Sequence, residues 1–303
     1  MRYLVINNSS VKRIKNITDI FHLLDIREAT REEYGYRIKP FISFIQKRGF
    51  RRDSFLEFKR YLSRRDDFSV TTKNKYLSVA RIFLKEVYRR GIIPLDITQN
   101  IRNFRQIKRH KVRGFSEEEV KRIYSWINSL AVNGNNIRIK CLLTLLVFQG
   151  LRQVEIVRLN VEDISLAEKV AFVKGKGCDD KELISLHPYT VEVLRKYIEM
   201  NRIYKGALFR SNSNNSKGKR LSVRGLRQIV RKALRAAGIS RGKVHGFRHY
   251  FTTRLIKIYK GNILDVARYT RHRSLNTVRI YNDEEEEISS LGKYYRAFVG
   301  LRA

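Results

Sequence analysis

The sequence predicts a mainly α-helical protein of two domains, with a small antiparallel sheet in the second domain. Apolar residues recur at helical spacing through the first third of the chain, and helices resume after a basic segment at 100–113 that lacks apolar periodicity. Two short β-branched or alternating segments, 169–174 and 182–186, then predict a β-hairpin. A length of 303 residues fits two domains of roughly 150 residues each.

Four helices are predicted in the first domain, which we expect at 1–105. They are expected at 17–24, 31–46, 52–63 and 70–90. Thr71 and Thr72 offer an N-cap for the last of them, and Gly91 stands where a C-terminal glycine ends a helix. Pro94 then prevents the helix from restarting. A basic linker is expected at 106–113.

The second domain is expected at 114–303, and a capping box marks its first helix. Ser116 and Glu119 have the spacing at which each side chain satisfies an amide of the first helical turn. Further helices are expected at 137–148, 153–159, 190–201 and 222–236. The polar run at 211–220 predicts a loop, and the residues from about 288 to 303 predict a tail.

The chain carries a large excess of positive charge. Lys and Arg number 64 against 29 Asp and Glu, which gives a net charge of +35. Residues 1–113 hold 28 of these cations and 11 of the anions, so both halves are basic. Such an excess repels itself unless a polyanion neutralises it, and nucleic acid is the usual polyanion. An acidic membrane face is a weaker alternative, and a thermophilic surface would mix both signs of charge.

The cysteines and the hydropathy pattern limit the cellular setting. Cys141 and Cys178 have no metal-ligand spacing, which indicates a reduced protein without a disulfide framework. No apolar stretch approaches the roughly 20 residues that span a bilayer, and the N-terminus lacks a secretory signal. We therefore expect no membrane association and a cytoplasmic protein, associated with the nucleoid if it binds DNA.

Three segments of the second domain carry the residue types that metal-free phosphodiester cleavage needs. That chemistry requires a nucleophile, cationic donors for the transition state and an acid for the leaving 5′-oxygen. The segments are QGLRQVEIVRL at 149–159, HGFRHYFTTRL at 245–255 and YTRHRSLNTVRIY at 269–281. A GKG turn at 175–177 lies between the first two.

In this order, the segments resemble the motifs of the tyrosine recombinase, or phage-integrase, family, closest to its compact Xer-like members. Residues 71–93 resemble the last helices of that family's N-terminal core-binding domain, so the resemblance covers nearly the whole chain. It implies a helical, SAM-like core-binding domain and an α+β catalytic domain that together clamp DNA.

The resemblance also implies which residues hold the scissile phosphate and protonate the leaving group. Arg152 and Arg248 would hold the phosphate, as bidentate guanidinium groups do well. Lys176, at the tip of the hairpin, would be the general acid, because an ammonium group among other cations gives up its proton more readily. Lys174, two residues away on the same strand face, remains the alternative.

The same resemblance assigns the remaining site residues. His245 and His272 would contact the non-bridging oxygens and assist proton movement. Tyr281, nine residues after His272, would be the nucleophile and form a 3′-phosphotyrosine intermediate. His249 would support packing around the site. Glu155 would orient a catalytic cation, although a simple charge on a surface helix is almost as good an interpretation.

The chain departs from the family's pattern at two places. Arg271, between Thr270 and His272, stands where the family usually has the glycine of Leu-Gly-His, so it changes the turn or adds a phosphate contact. An acidic run at 283–287 follows the nucleophile. It restrains Tyr281 until assembly or pairs with a basic neighbouring subunit, and unchanged cleavage and assembly after Glu-to-Gln changes there would contradict both hypotheses.

The predicted function is site-specific recombination of double-stranded DNA by a homo-tetramer, through a Holliday junction, without metal, ATP or other cofactor. Integration and excision of a mobile element and resolution of chromosome dimers are both compatible with the sequence. The aromatic tail would dock onto a neighbouring subunit, although packing onto its own domain remains open. The alternatives are a non-catalytic DNA-binding architectural protein and a type IB topoisomerase-like enzyme.

Overall fold

The structure, a computed structural model, describes residues 19–106, 114–175, 177–272 and 274–296, and it gives only the backbone of 283–289 and 291–294. The chain divides into two compact units, Met1–Ile107 and Lys108–Ala303. The described residues are mainly helical, with one three-stranded antiparallel sheet in the second unit, which confirms the predicted fold class. The linker predicted at 106–113 lies almost wholly outside the described residues.

The first unit is a small helical bundle. Its helices are α1 (Asp19–His22), α2 (Glu28–Arg48), α3 (Ser54–Ser63) and α4 (Val70–Arg89). Their apolar faces meet around Phe41 and Phe58, whose ring centroids lie 5.0 Å apart in an edge-to-face arrangement. The N-cap predicted for α4 was wrong. Ser69 caps the helix instead, because its hydroxyl accepts the Thr72 amide at 3.2 Å.

The segment after α4 is fastened along that helix. The side chain of Asn74 donates to the Phe104 carbonyl at 3.0 Å and accepts the Phe104 amide at 2.8 Å. Arg81 donates to the Ile101 carbonyl at 2.6 Å and to Oδ1 of Asn103 at 2.9 Å. The described part of the basic segment at 100–113 therefore belongs to the first unit through hydrogen bonds that the sequence pattern did not indicate.

The second unit has a helical core around one almost fully buried helix. Its helices are α5 (Glu117–Ser129), α6 (Gly134–Phe148), α7 (Gln153–Arg158), α8 (Pro188–Met200), α9 (Val223–Ala236), α10 (Val244–Ile258), α11 (Ile263–Thr270) and α12 (Leu275–Arg296). Leu142, Leu143 and Leu146 of α6 are buried at the centre of this core. The predicted capping box is confirmed, because Ser116 and Glu119 exchange hydrogen bonds at the start of α5.

The sheet confirms the predicted hairpin and adds a strand. Its order is β1 (Ile164–Ser165), β2 (Val170–Lys174) and β3 (Lys181–Ser185), and each neighbouring pair is antiparallel. Ala171, Val173 and Ile184 of the hairpin face the core. Val173 of β2 pairs with Glu182 of β3, so Glu182 lies close to the hairpin turn.

The last three helices form a separate small cluster. Ile256 of α10, Val266 of α11, and Val278 and Tyr281 of α12 are buried against one another. α12 therefore packs on α10 and α11. Among the helices that the structure describes, none is long and apolar enough to cross a membrane.

Candidate active site

Arg248 is a buried cation at the centre of the candidate site. It lies on α10 with 1% of its surface exposed. Its Nη1 donates to the Gly150 carbonyl at 2.8 Å, and its Nη2 donates to the Thr270 carbonyl. Burial and the neighbouring Arg152 lower the pKa of Arg248 to about 9, which still leaves the guanidinium charged at neutral pH.

Gly150 is a position at which the backbone requires glycine. Its φ is +55°, a left-handed conformation, and a Cβ there would lie 2.3 Å from the Phe251 ring. The absence of a side chain lets the chain turn closely past α10 and present the Gly150 carbonyl to Arg248. The glycine of the Gly-Leu-Arg motif is thus required by the backbone conformation and by the close approach of Phe251.

Glu155 is the buried anion that balances the cations. Its side chain is 1% exposed, and it lies one turn into α7, which begins just after Arg152. The carboxylate accepts the Arg152 amide, Nη1 of Arg152 and Nη2 of Arg271, each at 2.8 Å. The interpretation of Glu155 as a surface charge is therefore wrong.

The cations around Glu155 keep it ionised. Burial alone would raise the pKa of Glu155, but Arg271, the Arg152 amide and the Arg152 side chain outweigh burial and lower that pKa below its usual range. The Glu155 carboxylate is thus ionised at neutral pH.

The turn after α11 connects the two predicted phosphate-binding arginines. Arg248 donates to the Thr270 carbonyl, and Arg152 donates through Nη2 to the next carbonyl, that of Arg271, at 3.2 Å. His272 follows directly in the chain. Two guanidinium groups from distant parts of the sequence are therefore held against the same turn.

His272 is a half-buried imidazole among cations. Its Nδ1 lies 2.7 Å from the Thr270 hydroxyl. Burial, followed by the nearby charges of Arg248 and Arg152, lowers the pKa of His272 to about 3. The ring is therefore neutral at neutral pH in the free protein.

Tyr281 lies beside this histidine on α12. Its ring centroid is 6.1 Å from that of His272 and 4.7 Å from that of His249, which it meets edge to face. Tyr281 is only 1% exposed, because the apolar cluster of α10, α11 and α12 surrounds it. The structure thus brings the predicted nucleophile next to both histidines, in a covered position.

His245 lies at the exposed side of the site, near enough for its charge to be one of those that lower the pKa of His272. It is exposed in the first turn of α10 and lines an open cleft together with residues of α7, α9 and the preceding loop. Gln153, Arg227, Arg231 and Lys243 also line the cleft. These four residues were not predicted as site residues, although the cations that recur along α9 were a signal for them.

Lys176 lies outside the described residues, but its surroundings are visible. Nη1 of Arg158 donates to the Gly175 carbonyl at 2.9 Å and holds the base of the turn. The alternative acid, Lys174, lies 3.8 Å from Asp179. The side chains of the acidic run at 283–287 are likewise outside the described part. Among the described residues, no group of three or more His, Cys, Asp or Glu side chains is placed to hold a metal ion.

Comparisons with known proteins agree with this arrangement. The family model described as "Phage integrase family" matches residues 113–287, more than half of the chain. Tyrosine recombinase XerC of Leptospira interrogans is 26% identical over 231 residues, which cover 75% of this chain and 72% of the relative. Tyrosine recombinase XerH of Campylobacter jejuni is 31% identical over 169 residues, which cover 55% of this chain and 47% of the relative.

Two solved structures have a similar fold. A XerH site-specific recombinase bound to a palindromic difH substrate, in a post-cleavage complex, has a TM-score of 0.72 at 21% identity, over 88% of this chain and 80% of that chain. A lambda integrase tetramer bound to a Holliday junction has a TM-score of 0.67 at 16% identity, over 92% of this chain and 77% of that chain.

The chain belongs to the phage integrase family. It is a tyrosine recombinase, which confirms the predicted enzyme class and the predicted role in site-specific DNA recombination.

Glu155→Gln is expected to destabilise the protein by about 3 kcal/mol at pH 7, because a neutral amide leaves the buried charges of Arg152 and Arg271 without their anion. The pKa of Glu155 is lower in the folded state than in the unfolded state. Its contribution is therefore complete above the unfolded value and is lost as the pH falls through the folded value. Urea unfolding at pH 7 and at about pH 3 measures the difference.

Glu192→Gln is the matched control, since Glu192 is exposed and paired with Lys196 on the surface of α8. We expect it to change the free energy of unfolding by less than about 0.5 kcal/mol. A Glu155→Gln effect as small as that of the control, or equally large at both pH values, would contradict the assigned role.

Proposed function

We propose that Tyr281 attacks a DNA phosphate held by Arg152 and Arg248. The Tyr281 hydroxyl loses its proton to solvent as its oxygen forms a bond to phosphorus. The bond from phosphorus to the 5′-oxygen breaks, and that oxygen leaves as a hydroxyl after taking up a proton from Lys176, the proposed general acid. A 3′-phosphotyrosine results, and attack by the 5′-hydroxyl of another strand reverses the step. The observation that carries this proposal is the shared turn of Thr270 and Arg271, which connects both arginines to His272 near the tyrosine.

The two arginines are suited to stabilising charge in the transition state because hydrogen bonds to the backbone fix their positions. Arg152 is 30% exposed before DNA arrives, whereas Arg248, at 1% exposed, becomes accessible only in the opening that also releases Tyr281. Each guanidinium has five N–H donors, so the bonds that Arg152 and Arg248 make to backbone carbonyls leave donors for non-bridging oxygens. Donors that need no rearrangement during the reaction contribute most to its rate.

His272 is suited to donating a proton to a non-bridging oxygen. The Thr270 hydroxyl lies 2.7 Å from Nδ1 of His272 but 3.5 Å from the Ala267 carbonyl, which favours donation to Nδ1. A neutral ring then carries its proton on Nε2. A bound phosphate also opposes the cations that lower the pKa of His272, so protonation becomes easier once DNA is present.

The covered position of Tyr281 gives the reaction a conformational step. With 1% of its surface exposed, the side chain reaches a phosphate only after part of the α10, α11 and α12 cluster opens. We propose that contact with DNA shifts α12 and presents the hydroxyl. The acidic run that follows on the same helix, at 283–287, is placed to influence this shift.

The DNA contacts are assigned to both units. We propose that residues 1–105 bind the core of the recombination site, that 106–113 link the domains and that 114–303 form the catalytic domain. In the second unit, the cleft lined by Arg227, Arg231, Lys243 and His245 leads to the residue after Arg152. A row of cations there suits the phosphates that flank the cleavage point. We place the protein in the cytoplasm, on the nucleoid.

We further propose that four copies assemble on two DNA sites through their tails. The family neighbour bound to a Holliday junction is a tetramer. In this chain Tyr295, near the end of α12, has 62% of its surface exposed, so most of the side chain is accessible to a neighbouring subunit. The tail at about 288–303 therefore suits a neighbouring subunit.

Tyr281→Phe is expected to abolish the covalent adduct with a suicide duplex, which carries a nick near the cleavage point so that the cleaved end diffuses away. Wild type should form an adduct that survives denaturation, since the phosphotyrosine bond is covalent. Tyr295→Phe serves as the control that also removes a hydroxyl from α12. Denaturing electrophoresis measures the adduct. Binding of a selected site without any wild-type adduct would instead indicate an architectural protein.

Lys176→Ala is expected to slow cleavage by at least about 100-fold, which is a common contribution of a general acid. A substrate with sulfur in place of the 5′-bridging oxygen should restore the rate, because a thiolate leaves without protonation. Lys174→Ala is the matched control on the same hairpin and should cleave both substrates normally. If instead the sulfur substrate rescues Lys174→Ala, Lys174 is the acid.

Tyr295→Ser is expected to reduce recombination of two full sites at least about tenfold, since a buried aromatic anchor contributes about 2 kcal/mol to an interface. Cleavage of an isolated suicide half-site should stay unchanged, because that step needs no subunit contact. Recombination and sedimentation of the DNA complex measure the two effects. Equal recombination by the variant and the wild type would place the tail on its own domain.

A further inference from the structure

Arg271 adopts a backbone conformation that normally belongs to glycine. Its φ is 52° and its ψ is 46°, and it ends α11 as a left-handed cap. The Arg271 amide donates a hydrogen bond to the Ala267 carbonyl. A residue with a Cβ pays about 1 kcal/mol for this conformation. An arginine at this position is therefore less favourable for the backbone than a glycine, and any compensating contribution comes from its side chain.

The side chain of Arg271 is buried and joins two acidic residues. It has 8% of its surface exposed, its Nη2 lies 2.8 Å from Glu155 and its Nε lies 3.6 Å from Glu182. Glu155 belongs to α7, whereas Glu182 belongs to β3 of the hairpin. A single guanidinium thus connects the helix behind Arg152 with the strand behind the hairpin turn.

The hairpin pairs with β1 and packs against the core, and two side-chain contacts hold it as well. Arg158 of α7 holds the Gly175 carbonyl, and Lys181 of β3 contacts the buried carboxylate of Asp163. Neither contact involves the turn that carries His272. In the described part of the chain, the ion pair between Arg271 and Glu182 connects this hairpin to that turn.

We propose that Arg271 is a positioning residue that couples the β2–β3 hairpin to the turn carrying His272. The proposal rests on the proposed function, in which the hairpin delivers Lys176 as the general acid. Through Glu182 and Glu155, Arg271 ties strand β3 of the hairpin to the helix that follows Arg152. Both ion pairs of the Arg271 guanidinium are with carboxylates, so we assign it a positioning role rather than a phosphate contact.

Loss of Arg271 is therefore expected to slow DNA cleavage without weakening DNA binding. A displacement of about 1 Å between reacting groups costs up to about 100-fold in rate. Phosphate ligands behave differently, because their loss weakens binding and lowers the salt dependence of binding by about one unit. The two roles are therefore separable by measurement.

Three variants isolate the coupling. Arg271→Gly removes the guanidinium and restores the residue that the backbone conformation prefers. Arg271→Lys keeps the positive charge at the same conformational cost. Glu182→Gln breaks the hairpin contact alone, and it is safe for folding because Glu182 is 44% exposed.

Single-turnover cleavage of the suicide duplex is the first measurement. We expect cleavage at least about tenfold slower for Arg271→Gly, with the dissociation constant and its salt dependence unchanged. The double variant with Glu182→Gln should be no slower than Arg271→Gly, since both remove one interaction. Arg271→Lys should recover part of the rate. Multiplying effects, weaker binding with a reduced salt dependence, or a wild-type rate for Arg271→Gly would each overturn the proposal.

Hydrogen exchange of the free protein is the second measurement and requires no activity. The amides of β2 and β3 should exchange faster in Arg271→Gly and in Glu182→Gln than in wild type. Exchange unchanged in both variants would overturn the coupling. If wild type forms no covalent adduct, the proposed function fails, while exchange still decides whether Arg271 holds the hairpin.

Discussion

The candidate site depends on the buried carboxylate of Glu155. Arg152 and Arg271 donate to it directly, and Arg248 lies close enough for the charges of Arg152, Glu155 and Arg271 to shift its pKa. Several cations removed from water repel one another and lose hydration, so they stay together only with an anion between them. Glu155 supplies that anion before DNA arrives. The positive charge that Glu155 does not balance is then available to a phosphate, and the hydrogen bonds to Glu155 hold the arginines in place.

The cations are also fixed through the backbone. Arg248 and Arg152 donate to the successive carbonyls of Thr270 and Arg271, and the chain enters His272 directly afterwards. Main-chain carbonyls cannot rotate independently of the fold, so the separation of the two guanidinium groups is set by the turn. This is why a cap at the end of α11 matters for chemistry. A change of backbone conformation there would move both arginines and the histidine together.

The elements that local sequence determines could be predicted from the sequence alone. The capping box at Ser116, the hairpin and the helices follow from spacing within a few residues. The motifs also pointed to Arg152, Arg248 and Tyr281, whose roles stay predictions. The partners of Arg271 could not be predicted, because Glu155 and Glu182 come from distant segments. The burial of Tyr281 was equally hidden, since it depends on how three helices pack.

The covered tyrosine and the accessible Arg152 side chain together impose an order on the proposed reaction. The Arg152 side chain is 30% exposed, whereas Tyr281 is 1% exposed, so a phosphate can meet the arginine before it meets the nucleophile. Withdrawing a tyrosine ring from an apolar cluster costs about 2 kcal/mol, which keeps the exposed state at a few per cent of the free protein. Phosphate contacts of ordinary strength offset a cost of that size. Under the proposed roles, a phosphate is bound before Tyr281 is exposed, and the free protein keeps the tyrosine side chain covered.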